Sequence, residues 1–309
     1  MKINIDAVKF LKEVLEGDIS YGKLRKLTRA KAMKKYIEYE RTINKGIDEF
    51  KLMEEIIKLK IYEGYKDRFE LHILKDNLPF FVKELENIKQ EEREIIQKAL
   101  KKVYEIIPEH VEIHPKIYLY AGGIDGGFTL NRKEIYINYI KYLSNSEELI
   151  KIISHELFHS RKIHPKIKFI RYFKLNTKDI YLYELFGKIF EEGIALLIQH
   201  GPVLKKDDPV GSLTKGKLSL VDKEFENLNN LLWRIKGGAK YIDIKTVDYY
   251  ILGYFMVSFL YDFYGKEILL PWILELDYIP LLKAFIKGGK KKENTVMFSE
   301  EIENWMMNL

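Results

Sequence analysis

The chain has 309 residues, 47% apolar and 32% charged, and contains no cysteine. This length accommodates one large domain or two modest ones with a sizeable buried core, while the missing cysteines exclude disulfides, thiolate nucleophiles and cysteine-ligated metal sites. The formal charge of +6, from 52 basic against 46 acidic residues, is mild and implies no nucleic-acid partner.

The first eighteen residues carry Asp6, Lys9, Lys12 and Glu13, so no apolar signal core lies there and the expected compartment is the cytoplasm. The 43 lysines against nine arginines, with only three glutamines, give a heat-adapted, thermophile-like composition. From Ile5 to about Ile107 the pattern is helical. Val8, Leu11, Val14 and Leu15 recur at three- and four-residue intervals, as do Leu52, Ile56, Leu59 and Ile61 with small slips. Gly17, Gly46, Gly64 and Pro79 divide the stretch into four or five helices, giving a helical N-terminal region over 1–110. Between Lys23 and Arg41 lie eight basic and two acidic residues, read as a solvated helix face.

Near Pro108 the texture changes. Ile117–Tyr120 and Ile135–Tyr139 are short β-like runs, and the glycine-rich stretch from Ala121 to Gly127 is the kind of connection that joins neighbouring strands. No Gly-Lys-Ser/Thr follows these glycines, which argues against a phosphate loop. Ser144-Asn-Ser-Glu147 has the form of a capping box and predicts a helix running to about Lys162, before His164-Pro165. A second helix is expected from about Asp179 to His200, then a polar loop over 201–220. The apolar run Tyr249–Tyr261 has thirteen residues, short of the roughly 20 needed to span a bilayer, and reads as a buried helix over 248–264 closed by Gly265.

Within the first of these helices stands His155-Glu156-Leu-Phe-His159. Residues four apart share one face of a helix, so both imidazoles can reach a single cation. Glu156, next to the first histidine, projects toward a water on that cation rather than toward the cation, and can take the water's proton. With this chain's histidine and glutamate content, independent placement yields about 0.016 matches to the pattern, so chance is a poor explanation. Catalytic zinc takes three protein ligands plus water. His164, Glu184, Glu191, Glu192 and His200 are candidates for the third. Gly193 and Ala195 allow the helix carrying Glu191 and Glu192 to approach another closely, but the two glutamates diverge by about 100° and only one can face a metal.

The His155–His159 motif followed by Glu192-Gly-Ile-Ala195 resembles the gluzincin group of zinc metallopeptidases, in which a Glu-Gly-x-Ala segment supplies the third ligand. Tyr250 to Gly265 is similar to the helix ending in Tyr-Gly that follows the site in that group, and Phe10–Leu15 with Leu24 and Leu27 is similar to a helical lead-in found there. The resemblance implies an α+β, predominantly helical fold with a zincin-like catalytic domain over 111–309 and a small sheet or hairpin at 117–139 before the active-site helix. It implies Zn2+ held by His155, His159 and Glu192, with Glu156 as general base and a peptide or protein substrate laid along an edge strand beside Gly126 and Gly127. It also implies an oxyanion donor, for which Tyr250 and Tyr254 are the candidates. Related sequences often carry aspartate four residues after the metal-binding glutamate; here that position is Leu196, so either another carboxylate, Glu184 or Asp179, does its job or the site is tuned differently.

Two other readings compete with a zinc-dependent peptidase. Leu196 motivates a zinc-binding helical adaptor without hydrolytic activity. The basic stretches 23–41 and 161–178 motivate a nucleic-acid-binding module, the least favoured of the three.

Overall fold

A computed structural model describes residues 1–43, 46–167, 177–239, 241–291 and 298–309. The described residues are predominantly helical with one small sheet, an α+β composition. They group into two compact units, one formed by 1–101 with 113–161, the other by 102–112 with 162–309. In the first unit the sheet packs against the N-terminal helices, and the histidine-bearing helix packs against the sheet.

In the first unit the elements run β1 (Ile3–Asn4), α1 (Asp6–Glu16), α2 (Tyr21–Arg29), α3 (Lys31–Ile43), α4 (Glu49–Ile61), α5 (His72–Asp76), α6 (Leu78–Gln90) and the greater part of α7 (Glu92–Ile106). Then come β2 (Lys116–Tyr120), β3 (Gly127–Leu130), β4 (Glu134–Asn138) and α8 (Ser146–His159). The sheet order is β1-β2-β4-β3. The two β-like runs read from the sequence are neighbours, but they pair in parallel, Ile117 opposite Ile135 and Leu119 opposite Ile137. The hairpin is instead β3–β4, antiparallel, with Phe128 opposite Tyr136. Its connection has three residues, Asn131-Arg132-Lys133, with φ of +52° and +56° at the first two and the Lys133 N–H donating to the Leu130 carbonyl at 3.1 Å. β3 was not expected as a strand, since Gly127-Phe-Thr-Leu130 opens on glycine and its turn lacks the usual Asn-Gly.

Side-chain alternation gives the sheet two unlike faces. Tyr118, Tyr120, Phe128 and Tyr136 form a stacked aromatic face, on which α3 lays Tyr36 against Tyr120 and Tyr39 against Phe128. On the opposite face α8 packs against β3 and β4. The start of α8 differs by one residue from the expected capping box: Asn145 is the cap, its side chain accepting from the Glu148 N–H at 3.1 Å, while Ser144 takes φ +67° just before it.

In the second unit lie α9 (Thr177–His200), α10 (Lys215–Leu218), α11 (Val221–Lys236), α12 (Tyr249–Tyr264), α13 (Leu270–Glu275), α14 (Ile279–Gly289) and α15 (Glu300–Met307). α12 is the central helix, capped by the Asp248 side chain at its start and closed by Gly265 at φ +81°. α9 crosses it at Gly193 and Gly253, where the backbones touch: a Cβ on Gly193 would stand 2.3 Å from the Gly253 carbonyl oxygen. The loop after α9 is pinned by buried Leu204 and Leu213, which join Leu196 and Tyr254 in one apolar cluster. Among the described residues no helix is long and apolar enough to cross a membrane. Much of the basic stretch 161–178 lies outside the described residues.

Candidate metal centre

Helix α8 presents His155 and His159 on one face, with the two Nε2 atoms 3.1 Å apart and the rings nearly perpendicular at 71°. Two metal bonds of about 2.0–2.1 Å meeting at a tetrahedral angle place their nitrogens about 3.3–3.4 Å apart, so this pair fits a shared zinc ion with a shift of a few tenths of an ångström. The fit extends to chemistry, because imidazole nitrogen is a favoured zinc donor and the chain has no thiolate to compete. His155 is buried and His159 half-buried. The end of the helix is fixed by Arg132, which donates from Nη1 to the His159 carbonyl at 3.1 Å, and by the Ser160 hydroxyl, which donates to the Glu156 carbonyl at 2.9 Å.

Glu156 is only 5% exposed, and its carboxylate points to edge strand β3. The Thr129 hydroxyl donates to Glu156 Oε2 at 2.6 Å. Two residues earlier on the same face, a Cβ on Gly127 would lie 3.6 Å from Glu156 Oε1 and 2.8 Å from the Tyr136 carbonyl oxygen. The second distance forbids a side chain without a shift of the hairpin, so Gly127 keeps backbone bare beside the carboxylate. Sequence reading missed Thr129, which lies in a strand it did not predict. It also missed Tyr39, whose ring stacks on Phe128 at 4.4 Å and whose hydroxyl donates to Asp125 Oδ2 at 3.0 Å. Burial pushes the Tyr39 phenol well above its ordinary range, with Asp125, Glu40 and Glu156 adding their negative charge.

In the second unit, Glu192 and Glu191 sit side by side on α9 and are both half-buried. Glu191 is engaged locally: Trp272 Nε1 donates to its Oε2 at 2.8 Å. The close approach that Gly193 permits is to Gly253 of α12. Tyr254 is buried, its hydroxyl donating to the Gly201 carbonyl at 2.8 Å, while Tyr250 is half-buried against the same apolar cluster and lines an open cavity of about 560 Å3 together with Lys217, Lys245 and Asp248. Leu196 belongs to that cluster and contributes no polar group. Of the other histidines, His72 pairs with Asp67 at 2.9 Å, His200 lies 3.5 Å from Asp208, and His110, His114 and His164 are exposed.

The basic residues of 23–41 are partly neutralised within the first unit, Lys26 by Glu13, Lys31 by Glu134 and Lys35 by Glu38. No curated protein and no solved structure matches the chain. One family model does, over residues 24–293, most of its length. On that match the chain belongs to the DUF5700 family, described as "putative zinc dependent peptidase".

Proposed function

We propose that this protein hydrolyses peptide bonds as a zinc-dependent peptidase, with His155, His159 and Glu192 as metal ligands and Glu156 as general base. The observation that carries the reading is the α8 pair of imidazole nitrogens 3.1 Å apart, flanked by a buried carboxylate held against an edge strand. Membership of a family described as zinc dependent supports the choice of metal. Glu192 is preferred to Glu191 because the latter already accepts the Trp272 indole N–H.

Zinc, when bound, would polarise the scissile carbonyl and acidify a coordinated water. The protein's own groups supply the rest. Substrate backbone pairs with the edge of β3, beside the bare Gly127. Glu156 removes a proton from the attacking water as the new carbon–oxygen bond forms. It then delivers that proton to the amide nitrogen as the carbon–nitrogen bond breaks. Thr129 holds the carboxylate in one orientation through both transfers. Tyr250 is proposed as the oxyanion donor, since the Tyr254 proton is engaged by Gly201.

Leu196 favours the adaptor reading, because it gives the imidazoles no carboxylate to orient them. One experiment separates the two. Glu156→Gln should keep about one zinc per chain and lose peptide hydrolysis by three or more orders of magnitude, roughly the loss seen when a principal catalytic group is removed. Equal turnover by the variant and the wild type sinks the mechanism. Zinc bound by a wild-type protein that cleaves nothing in a proteome-derived peptide digest favours the adaptor.

A further inference from the structure

Beside the amino end of β3 lie two carboxylates, Asp125 within the glycine-rich loop and Glu40 on α3. Asp125 accepts the Tyr39 hydroxyl at 3.0 Å, and Glu40, one helical residue further on, makes no hydrogen bond or ion pair among the described residues. Gly123, at φ +79°, stands close to one of them: a Cβ there would lie 2.7 Å from Glu40 Oε1 and 2.9 Å from the Tyr36 hydroxyl. The Asn138 side chain ties this loop down, donating to the carbonyls of Gly122, Gly123 and Asp125 at 2.9–3.0 Å. Tyr36 is 1% exposed, and its hydroxyl has no hydrogen-bond partner among the described residues.

A buried hydroxyl without a partner and two neighbouring carboxylates without a base are each unfavourable, and one cationic donor would relieve both. Burial and the Asp125 charge push the Glu40 carboxyl above its ordinary range, opposed only in part by Arg68. That guanidinium sits over the Phe69 ring and pairs with neither carboxylate.

We propose that Glu40, Asp125 and the Tyr36 and Tyr39 hydroxyls form a subsite for a substrate ammonium group, either the free amino terminus of a peptide or a lysine side chain. This rests on the peptidase reading above. The geometry that links the two is strand alternation. Gly127 and Thr129 face Glu156, whereas Phe128 between them faces Tyr39. A peptide paired to the β3 edge therefore sends alternate groups to the two faces. Asp125 precedes Gly127 by two residues, about 6–7 Å of extended chain, so the ammonium falls one or two substrate residues from the scissile bond.

The test uses the zinc-loaded full chain and four pentapeptides: four alanines around a central lysine or norleucine, each with a free or an acetylated amino terminus. Binding is measured calorimetrically on Glu156→Gln, and kcat/KM on the wild type. The expected result is a preference of about tenfold or more for peptides carrying an ammonium, the size of one charge-assisted hydrogen bond. Acetylation and norleucine tell the two sources apart. Glu40→Gln and Asp125→Asn should each shrink the preference in both readouts. Cleavage of all four peptides at one rate overturns the subsite and leaves the peptidase standing. A binding preference with no cleavage of any peptide supports the subsite and removes the peptidase. Equal binding of all four, displaced by calcium, overturns the subsite in favour of an inorganic cation.

Discussion

Thr129 Oγ1 lies 2.6 Å from Glu156 Oε2, so the proposed base is oriented by a hydroxyl from the strand proposed to hold the substrate. A peptide seated on β3 would thus be placed relative to Glu156 by the same element that fixes the carboxylate rotamer. Thr129→Val keeps the shape and removes the donor. It should lower kcat by about tenfold, one hydrogen bond's worth of orientation, with zinc content unchanged. Thr129→Ser restores the donor and should recover most of the loss. A valine variant with wild-type kcat shows that the contact is merely structural.

The choice between adjacent glutamates is settled by metal analysis. Glu192→Ala should reduce zinc occupancy at micromolar free zinc to a small fraction. Glu191→Ala should leave occupancy intact and instead release the Trp272 indole N–H, lowering stability by about 1–3 kcal/mol. The reverse pattern reassigns the ligand.

The helical faces and the meeting of the two histidines were legible in the sequence because each rests on local spacing. Val8, Leu11, Val14 and Leu15 are all buried, and His155 and His159 do meet. The closing Gly265, at positive φ, was readable for the same reason. What escaped depends on partners far along the chain. Parallel pairing of Lys116–Tyr120 with Glu134–Asn138 needs a strand to pass beyond both and return, and an Asn-Arg turn with positive φ does not announce it. Thr129 and Tyr39 acquired meaning only when that hairpin put them beside Glu156 and Asp125. The Tyr254 hydroxyl illustrates the converse. Nothing in the sequence says that Gly201, fifty-three residues away, takes its hydrogen bond.

The two tyrosines of α12 should separate cleanly. Burial lifts the Tyr254 phenol to about 12, so it stays protonated and bonded to Gly201 across the neutral range. Tyr254→Phe should cost about 1 kcal/mol of stability with little change in kcat. Tyr250→Phe should reduce kcat about 10²–10³-fold with KM and zinc content nearly constant, as loss of an oxyanion donor does. Equal kinetics for both variants removes Tyr250 from the mechanism.

Backbone contact between α9 and α12 gives a stability prediction. Gly253 has no room for a side chain, since a Cβ would stand 2.3 Å from the Ile189 carbonyl oxygen. Neither helix backbone can yield without moving its neighbours. Gly193→Ala and Gly253→Ala should each destabilise the fold by about 1–3 kcal/mol or more, although alanine is the better helix former. Because both substitutions push the same two helices apart, the double variant should lose less than the sum. Thermal denaturation of the three variants checks this, and an unchanged melting temperature for either single variant refutes it.

Asp208 makes stability depend on pH in a stated direction. Burial alone would raise its carboxyl, but this is outweighed by the interaction with His200 and by hydrogen bonds from the Val210 N–H and Gln199, leaving it below its ordinary value of 3.8. A carboxyl that ionises more readily when folded stabilises the protein above its unfolded pKa. That stabilisation disappears as pH falls through the lower folded value. These contacts fasten the loop after α9, so the wild type should hold this contribution at neutral pH and lose it as pH falls below the ordinary carboxyl value of 3.8. Asp208→Asn should be less stable at pH 7 and lose less between pH 5 and pH 3. Urea unfolding at several pH values measures both, and parallel acid limbs for variant and wild type would show that Asp208 contributes nothing to the slope.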